Sequence, residues 1–187
     1  KIDHTYISSL ALPKNLYLPR VNSEGFDLGE LDCIKALMKS IDQFSETSFH
    51  ASSISSINHL KDLSIEISSK CHKKTIGMVE TCDLKSIELT SINPSDQWAS
   101  YSIESRNNVL LSVAERLEKE RAKFIYLLMH EAGKTLEDAI DEIREAVDFL
   151  RYYSQQALNF QAVSQRGPTG EDNILEYVPK GTVLCIS

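Results

Sequence analysis

The stretch His130-Glu131-Ala132-Gly133-Lys134-Thr135 carries the residue types of two catalytic devices. Gly133-Lys134-Thr135 matches the end of a phosphate-binding loop, in which glycine-rich backbone wraps a phosphate and the lysine supplies charge. That loop needs a glycine five residues before Gly133, and Leu128 stands there. His130-Glu131 matches the start of a zinc-protease helix, whose second histidine would fall at Lys134. Spacing rejects both, and the stretch reads as a helix end followed by a new helix start.

Two further groupings have the right chemistry. Cys71-His72 is the nearest approach to a metal pair, but adjacent strand residues point to opposite faces. The histidines at 4, 50, 59, 72 and 130 lack ligand spacing, so no metal site is expected. Asp138, Asp141, Glu142, Glu145 and Asp148 lie on one charged segment, and paired carboxylates can do acid/base work. Arg144 and Arg151 can pair with them at helical spacing, which predicts a solvated, salt-bridged face. Trp98, after the turn at Asn93-Pro94, reads as a core anchor. No nucleophile, base or phosphate loop assembles from these residues, so no catalytic residue is assigned.

The elements that position these groups follow from period and punctuation. Residues 10–30 carry Pro13, Pro19 and Gly25 with little helical period, and read as an extended connector that needs a surface to lie on. A helix is predicted from near Asp27, where Asp27 and Glu30 form a capping-box pattern, with Leu31, Ile34, Leu37, Met38, Ile41 and Phe44 as its apolar face. The serine-rich residues 45–59 read as loop. Ile65 and Ile67, then Ile76 and Val79, predict two short strands around a basic turn.

A short helix is expected from Asp83 to about Ile92. From Ser102 the pattern is strongly helical, with Val109, Val113, Leu117, Ile125, Leu128 and Met129 among charges. A break is expected near 119–121 and an end at Gly133. Thr135 can cap the next helix. On it Ile140, Ile143, Val147, Leu150, Ser154 and Ala157 recur at steps of three and four, one long stripe for a core. Residues 164–173 read as a turn-rich loop. Residues 174–187 read as strand, Pro-Lys-Gly turn, strand. The fold class is therefore mixed α/β with helix dominant.

The totals narrow the function classes. A net charge of −7 over 187 residues, without a basic patch, argues against nucleic acid or an anionic membrane surface as partner. No apolar run reaches the roughly 20 residues of a spanning helix. The four cysteines (33, 71, 82 and 185) form no C-x-x-C pair and read as reduced thiols of a cytoplasmic protein.

Residues 131–157, then Gly167-Pro168-Thr169-Gly170-Glu171-Asp172-Asn173, then Pro179 to Ser187, closely resemble the opening part of the aldehyde dehydrogenase module in the proline utilization A family. Those are bifunctional bacterial enzymes of proline catabolism. Residues 12–30 resemble the stretch between that family's proline dehydrogenase barrel and its dehydrogenase module. The likeness is strongest from Arg106 to Ser187 and weakest over 45–74. There family members carry an Asn-Pro-Ala-Asp-like turn, and this chain has residues 68–75, Ser-Ser-Lys-Cys-His-Lys-Lys-Thr.

The resemblance implies an incomplete fragment of the aldehyde dehydrogenase fold. Residues 1–30 would be an interdomain connector and 31–187 the N-terminal part of the module. It implies a parent that oxidises glutamate γ-semialdehyde to glutamate with NAD, an upstream FAD-dependent proline dehydrogenase, and a homo-oligomer. The parent would be cytoplasmic, or peripheral to the inner membrane.

In the family the equivalent of residues 181–187 runs into Pro-Trp-Asn-Phe-Pro, which supplies an oxyanion-stabilising asparagine. The nucleophilic cysteine and general-base glutamate come later still. The strand-like ending is thus expected to be a cut edge, Cys185 is not the nucleophile, and the isolated chain is expected to be inactive with no cofactor bound. Its partner would be the rest of the parent polypeptide. Ile186 and Ser187 match positions where family backbone approaches the cofactor. Asp138 and Glu142 lie on the helix near the aldehyde pocket, where an acid could hold the substrate's amino group. The competing expectation is a free-standing helical interaction module, with the apolar stripes and strand edge as docking surfaces.

Overall fold

The computed structural model describes residues 10–52, 64–69, 74–81, 96–178, 180, 181, 183, 185 and 186. The helix expected over 83–92, the Cys71-His72 pair, Cys82, Ser187 and the histidines at 4, 59 and 72 lie outside the described residues.

Five α-helices and five strands make up the described fold: α1 (Leu31–Asp42), β1 (Phe49–Ser52), β2 (Ser64–Ser68), β3 (Thr75–Glu80), α2 (Asp96–Ser100), α3 (Ile103–Lys119), α4 (Arg121–His130), α5 (Leu136–Ala157), β4 (Val163–Arg166) and β5 (Asp172–Leu175). The class is mixed α/β and helix-rich, as the sequence pattern implies.

Cap chemistry sets the long helices. The Ser102 hydroxyl accepts the Ser105 N–H at 3.1 Å and opens α3. The Thr135 hydroxyl accepts the Asp138 N–H at 3.2 Å and donates to the Asp138 carboxylate at 2.7 Å, opening α5. The break expected near 119–121 is at Glu120, which ends α3 and starts α4. Gly133, with φ of 74°, sits in the turn between α4 and α5, a backbone state a side chain disfavours.

Two seams form the core. Leu37 and Ile41 of α1, Ile125 and Tyr126 of α4, and Ala139 and Ile140 of α5 are buried together. Phe44, Phe49 and Tyr126 extend that seam with ring centroids 5.8 to 6.4 Å apart. The second seam runs between α3 and α5, where Ala114 and Val147 are wholly buried. Burying one valine is worth about 2 kcal/mol. The small Ala114 side chain lets the two helices approach closely.

Several expectations need correction. α1 begins at Leu31, not near Asp27, because the Asp27 carboxylate takes the Gly29 N–H at 2.9 Å in a turn of its own. Glu30 makes no side-chain cap. Phe49–Ser52, expected as loop, is a strand parallel to β3, giving a sheet of order β1-β3-β2 with the expected antiparallel β2–β3 pair. Val109 and Val113 are 48% and 44% exposed. α3 instead buries the face of Asn107 and Ala114. Trp98 is half exposed and meets Tyr101 edge-on rather than anchoring a core.

The final hairpin also lies earlier than expected. β4 and β5 pair antiparallel from Val163 with Leu175 to Arg166 with Asp172. Their turn is closed by Gly167 N–H to Glu171 C=O at 2.7 Å, with Gly170 at φ of 93°. The described residues after Leu175 carry no strand. An extended run becomes a strand only where a neighbour satisfies its N–H and C=O groups, and no described segment pairs with this one.

Candidate functional site

α5 carries the acidic ladder. Steps of three and four place Asp138, Glu142 and Glu145 along one side of the helix, with Lys134 just before its start. The Lys134 ammonium donates to Glu142. That hydrogen bond first, and the charges of Glu142, Asp138 and Glu145 after it, hold the lysine above its usual range against a smaller opposing effect of desolvation. Asp138 is occupied by the Thr135 hydroxyl. The two candidate substrate residues therefore share one exposed patch, and the patch already holds an ammonium group. The arrangement can recognise a primary amine. It provides no pair of carboxylates with separated acid and base roles.

The opposite end of the ladder does something else. The Asp148 carboxylate accepts two hydrogen bonds from Ser23, from the backbone N–H at 2.6 Å and from the hydroxyl at 2.8 Å. Arg151 grips Glu118 of α3 through both guanidinium nitrogens, at 2.6 and 3.3 Å. Glu118 also takes the Glu24 N–H at 2.9 Å. Arg121 stacks over Phe26 at 4.1 Å and reaches Glu24 at 3.4 Å. Residues 23–26 thus lie across α3, α4 and α5.

This corrects the expectation of a purely solvated face. Arg144 does pair locally with Asp141 at 3.5 Å, but Arg151 and Asp148 are spent on tertiary contacts. No local spacing signals those contacts. The missing period in residues 10–30 is the hint the sequence carries.

Of the two described cysteines, Cys33 is a poor nucleophile. Cys33 donates to Glu30 at 3.1 Å, which with burial and nearby acids raises its pKa and disfavours the thiolate. Cys185 is exposed. No group of three acidic, histidine or cysteine residues among those described could hold a metal ion. No described helix is long and apolar enough to cross a membrane.

A family model described as the aldehyde dehydrogenase family matches residues 60–187. The chain belongs to that family. It is 28% identical over 184 residues, 95% of its length, to the bifunctional protein PutA of Escherichia coli. It is 33% identical over 91 residues, 48% of its length, to 1-pyrroline-5-carboxylate dehydrogenase 1 of Halalkalibacterium halodurans. The matched stretches are 13% and 18% of those relatives. A solved proline utilization A from Bradyrhizobium japonicum superposes over 93% of this chain and 15% of its own, with a TM-score of 0.68 at 26% identity. The fold is accordingly a partial aldehyde dehydrogenase fold, and the chain spans less than a fifth of each of these proteins.

Family membership implies NAD or NADP in the complete enzymes. The described residues do not build a cradle for it. No glycine-rich turn joins a strand to a helix N-terminus among them, as a dinucleotide site requires. Ile186 is 87% exposed, and its neighbour Ser187 is outside the described residues.

Proposed function

We propose that this chain is the opening part of the dehydrogenase module of a bifunctional proline-catabolic enzyme. The parent converts glutamate γ-semialdehyde, water and NAD⁺ to glutamate, NADH and two protons, and an upstream FAD-dependent unit oxidises proline. The observation that carries the reading is the reach of the likeness. The family model starts at residue 60, whereas the likeness to the bifunctional relative covers 95% of the chain and so takes in most of the connector.

The chain's own residues would support rather than catalyse. The α3–α5 seam gives a stiff base, and the Ser23–Asp148 and Glu118–Arg151 contacts seat the connector on it. Asp138 and Glu142 would hold the amino group of the semialdehyde, since their patch already accepts the Lys134 ammonium. Ile186 and Ser187 would line the approach to NAD. Among the described residues no cysteine–glutamate pair is placed for aldehyde chemistry, since the Glu30 contact disfavours the Cys33 thiolate, and the isolated chain is expected to be inactive. In the cell the parent would be a cytoplasmic homo-oligomer, the remainder of the polypeptide covering this chain.

The test is to capture the native polypeptide with an antibody against this chain. Its mass, NAD⁺ reduction with the semialdehyde and dye reduction with proline are then measured. Both activities on a polypeptide far above 21.1 kDa support the proposal. The dehydrogenase activity alone reduces it to a monofunctional enzyme. Neither activity overturns it and leaves the interaction-module reading.

A further inference from the structure

A cleft of about 520 Å³ opens between the connector and helices α3 and α5, away from the acidic ladder. That volume lies in the range of small-molecule sites. Val21, Leu111 and Leu158 give it apolar walls, and Arg20, Asn107 and Glu115 are among its polar lining.

Asn107 is 93% buried, with 7% exposure, yet its carboxamide makes no hydrogen bond to a described residue. Arg20 lies against the rings of Tyr17 and Tyr152, at 4.9 and 5.4 Å, but has no carboxylate partner among the described residues. Glu115 has no cationic partner among them. Arg20 and Glu115 border one cleft without pairing with each other. The third charge there, Arg151, is already spent on Glu118.

We infer that this cleft binds a free α-amino acid with an aliphatic side chain. Such a ligand carries the two charges the cleft leaves unmatched. Its carboxylate pairs with Arg20, and a guanidinium is suited to a planar carboxylate. Its ammonium pairs with Glu115. The Asn107 carboxamide can donate to the carboxylate or accept from the ammonium, and Leu111 and Leu158 cover the side chain. A purely apolar ligand would leave all three polar groups unmet.

The inference does not depend on the proposed reaction. It is tested on the intact polypeptide by isothermal titration with L-leucine, N-acetyl-L-leucine and L-leucinamide. The expected result is one saturable site for leucine, with binding at least about tenfold weaker for each blocked analogue, because each loses one charge-assisted contact. Arg20→Gln should abolish the preference for leucine over leucinamide and keep the preference over N-acetyl-leucine, since it removes the carboxylate contact. Glu115→Gln should do the reverse. Both substitutions are on the rim, so a circular-dichroism melt within a few degrees of the parent certifies folding. Absence of leucine binding overturns the inference. So does binding that neither Arg20→Gln nor Glu115→Gln weakens, because the site then lies elsewhere in the polypeptide.

Discussion

Asp148 and Ser23 are 125 positions apart in sequence and joined by two hydrogen bonds to one carboxylate. Ser23 is 4% exposed, so its N–H has no ready substitute in water. Replacing Asp148 by Ala strands that donor, whereas replacing Ser23 by Ala removes the hydroxyl and keeps the backbone bond. Asp148→Ala should cost about 2–3 kcal/mol and Ser23→Ala about 1 kcal/mol in urea unfolding. Equal costs would show that the backbone bond does not hold the connector.

The Glu118–Arg151 pair should outweigh the other ion pairs. Its side chains are 24% and 14% exposed, and both guanidinium nitrogens are engaged. Glu118→Gln leaves a largely buried cation unmatched and should cost about 2–3 kcal/mol. Arg116→Ala, which breaks a pair whose arginine is 78% exposed, should cost less than about 1 kcal/mol. Arg151→Lys should recover little of the loss, because an ammonium cannot span both carboxylate oxygens. Chemical denaturation of the three variants orders them.

What could be read from the sequence divides by range. The cap at Thr135 was legible because a cap is satisfied within three residues, and the helical pattern was legible from Ser102. The face of α5 was legible because Val147 and Ser154 fall on its period. β1 was not, since four residues of mixed polarity become a strand through pairing with β3, from Phe49 with Gly77 onward. The start of α1 misled because Asp27 has two local uses, and the turn to Gly29 wins over the cap. At the candidate site, the Asp138–Glu142 spacing was visible. The engagement of Asp148 by Ser23 and of Arg151 by Glu118 is tertiary, and spacing within α5 pointed instead to local pairs.

The Lys134 contact predicts an alkaline arm of stability. Its folded pKa is raised, so its stabilisation is complete below the unfolded pKa and is lost as pH climbs through the folded one. Glu120 shows the opposite sign. The hydrogen bond from Arg116, then the nearby charges, lowers its pKa, so its contribution is lost as pH falls through that lowered value. Glu142→Gln should flatten the alkaline arm and leave the acid arm unchanged, as measured by melting temperature across pH. In the parent enzyme, Asp138→Asn with Glu142→Gln should lower kcat/KM for the semialdehyde, while Lys134→Met, which frees the patch, should lower KM. An unchanged kcat/KM in the double variant would remove both residues from substrate binding.

Two glycines should respond to alanine for unlike reasons. Gly77 sits in β3 opposite Phe49, and a Cβ built there lands against the Phe49 carbonyl oxygen of the parallel partner strand. Because backbone cannot swing aside as a side chain does, Gly77→Ala must push β1 off β3. Phe49 also stacks on Tyr126, so the displacement reaches the α1–α4 seam. A cost of about 3 kcal/mol is expected. Gly170 has open space around its Cβ position and is constrained by φ of 93° alone. Gly170→Ala should cost about 1 kcal/mol, and Gly170→Asn less, since asparagine tolerates positive φ better than alanine. Hydrogen exchange separates the mechanisms: Gly77→Ala should expose the amides of β1 and β3, whereas Gly170→Ala should loosen only the β4–β5 turn.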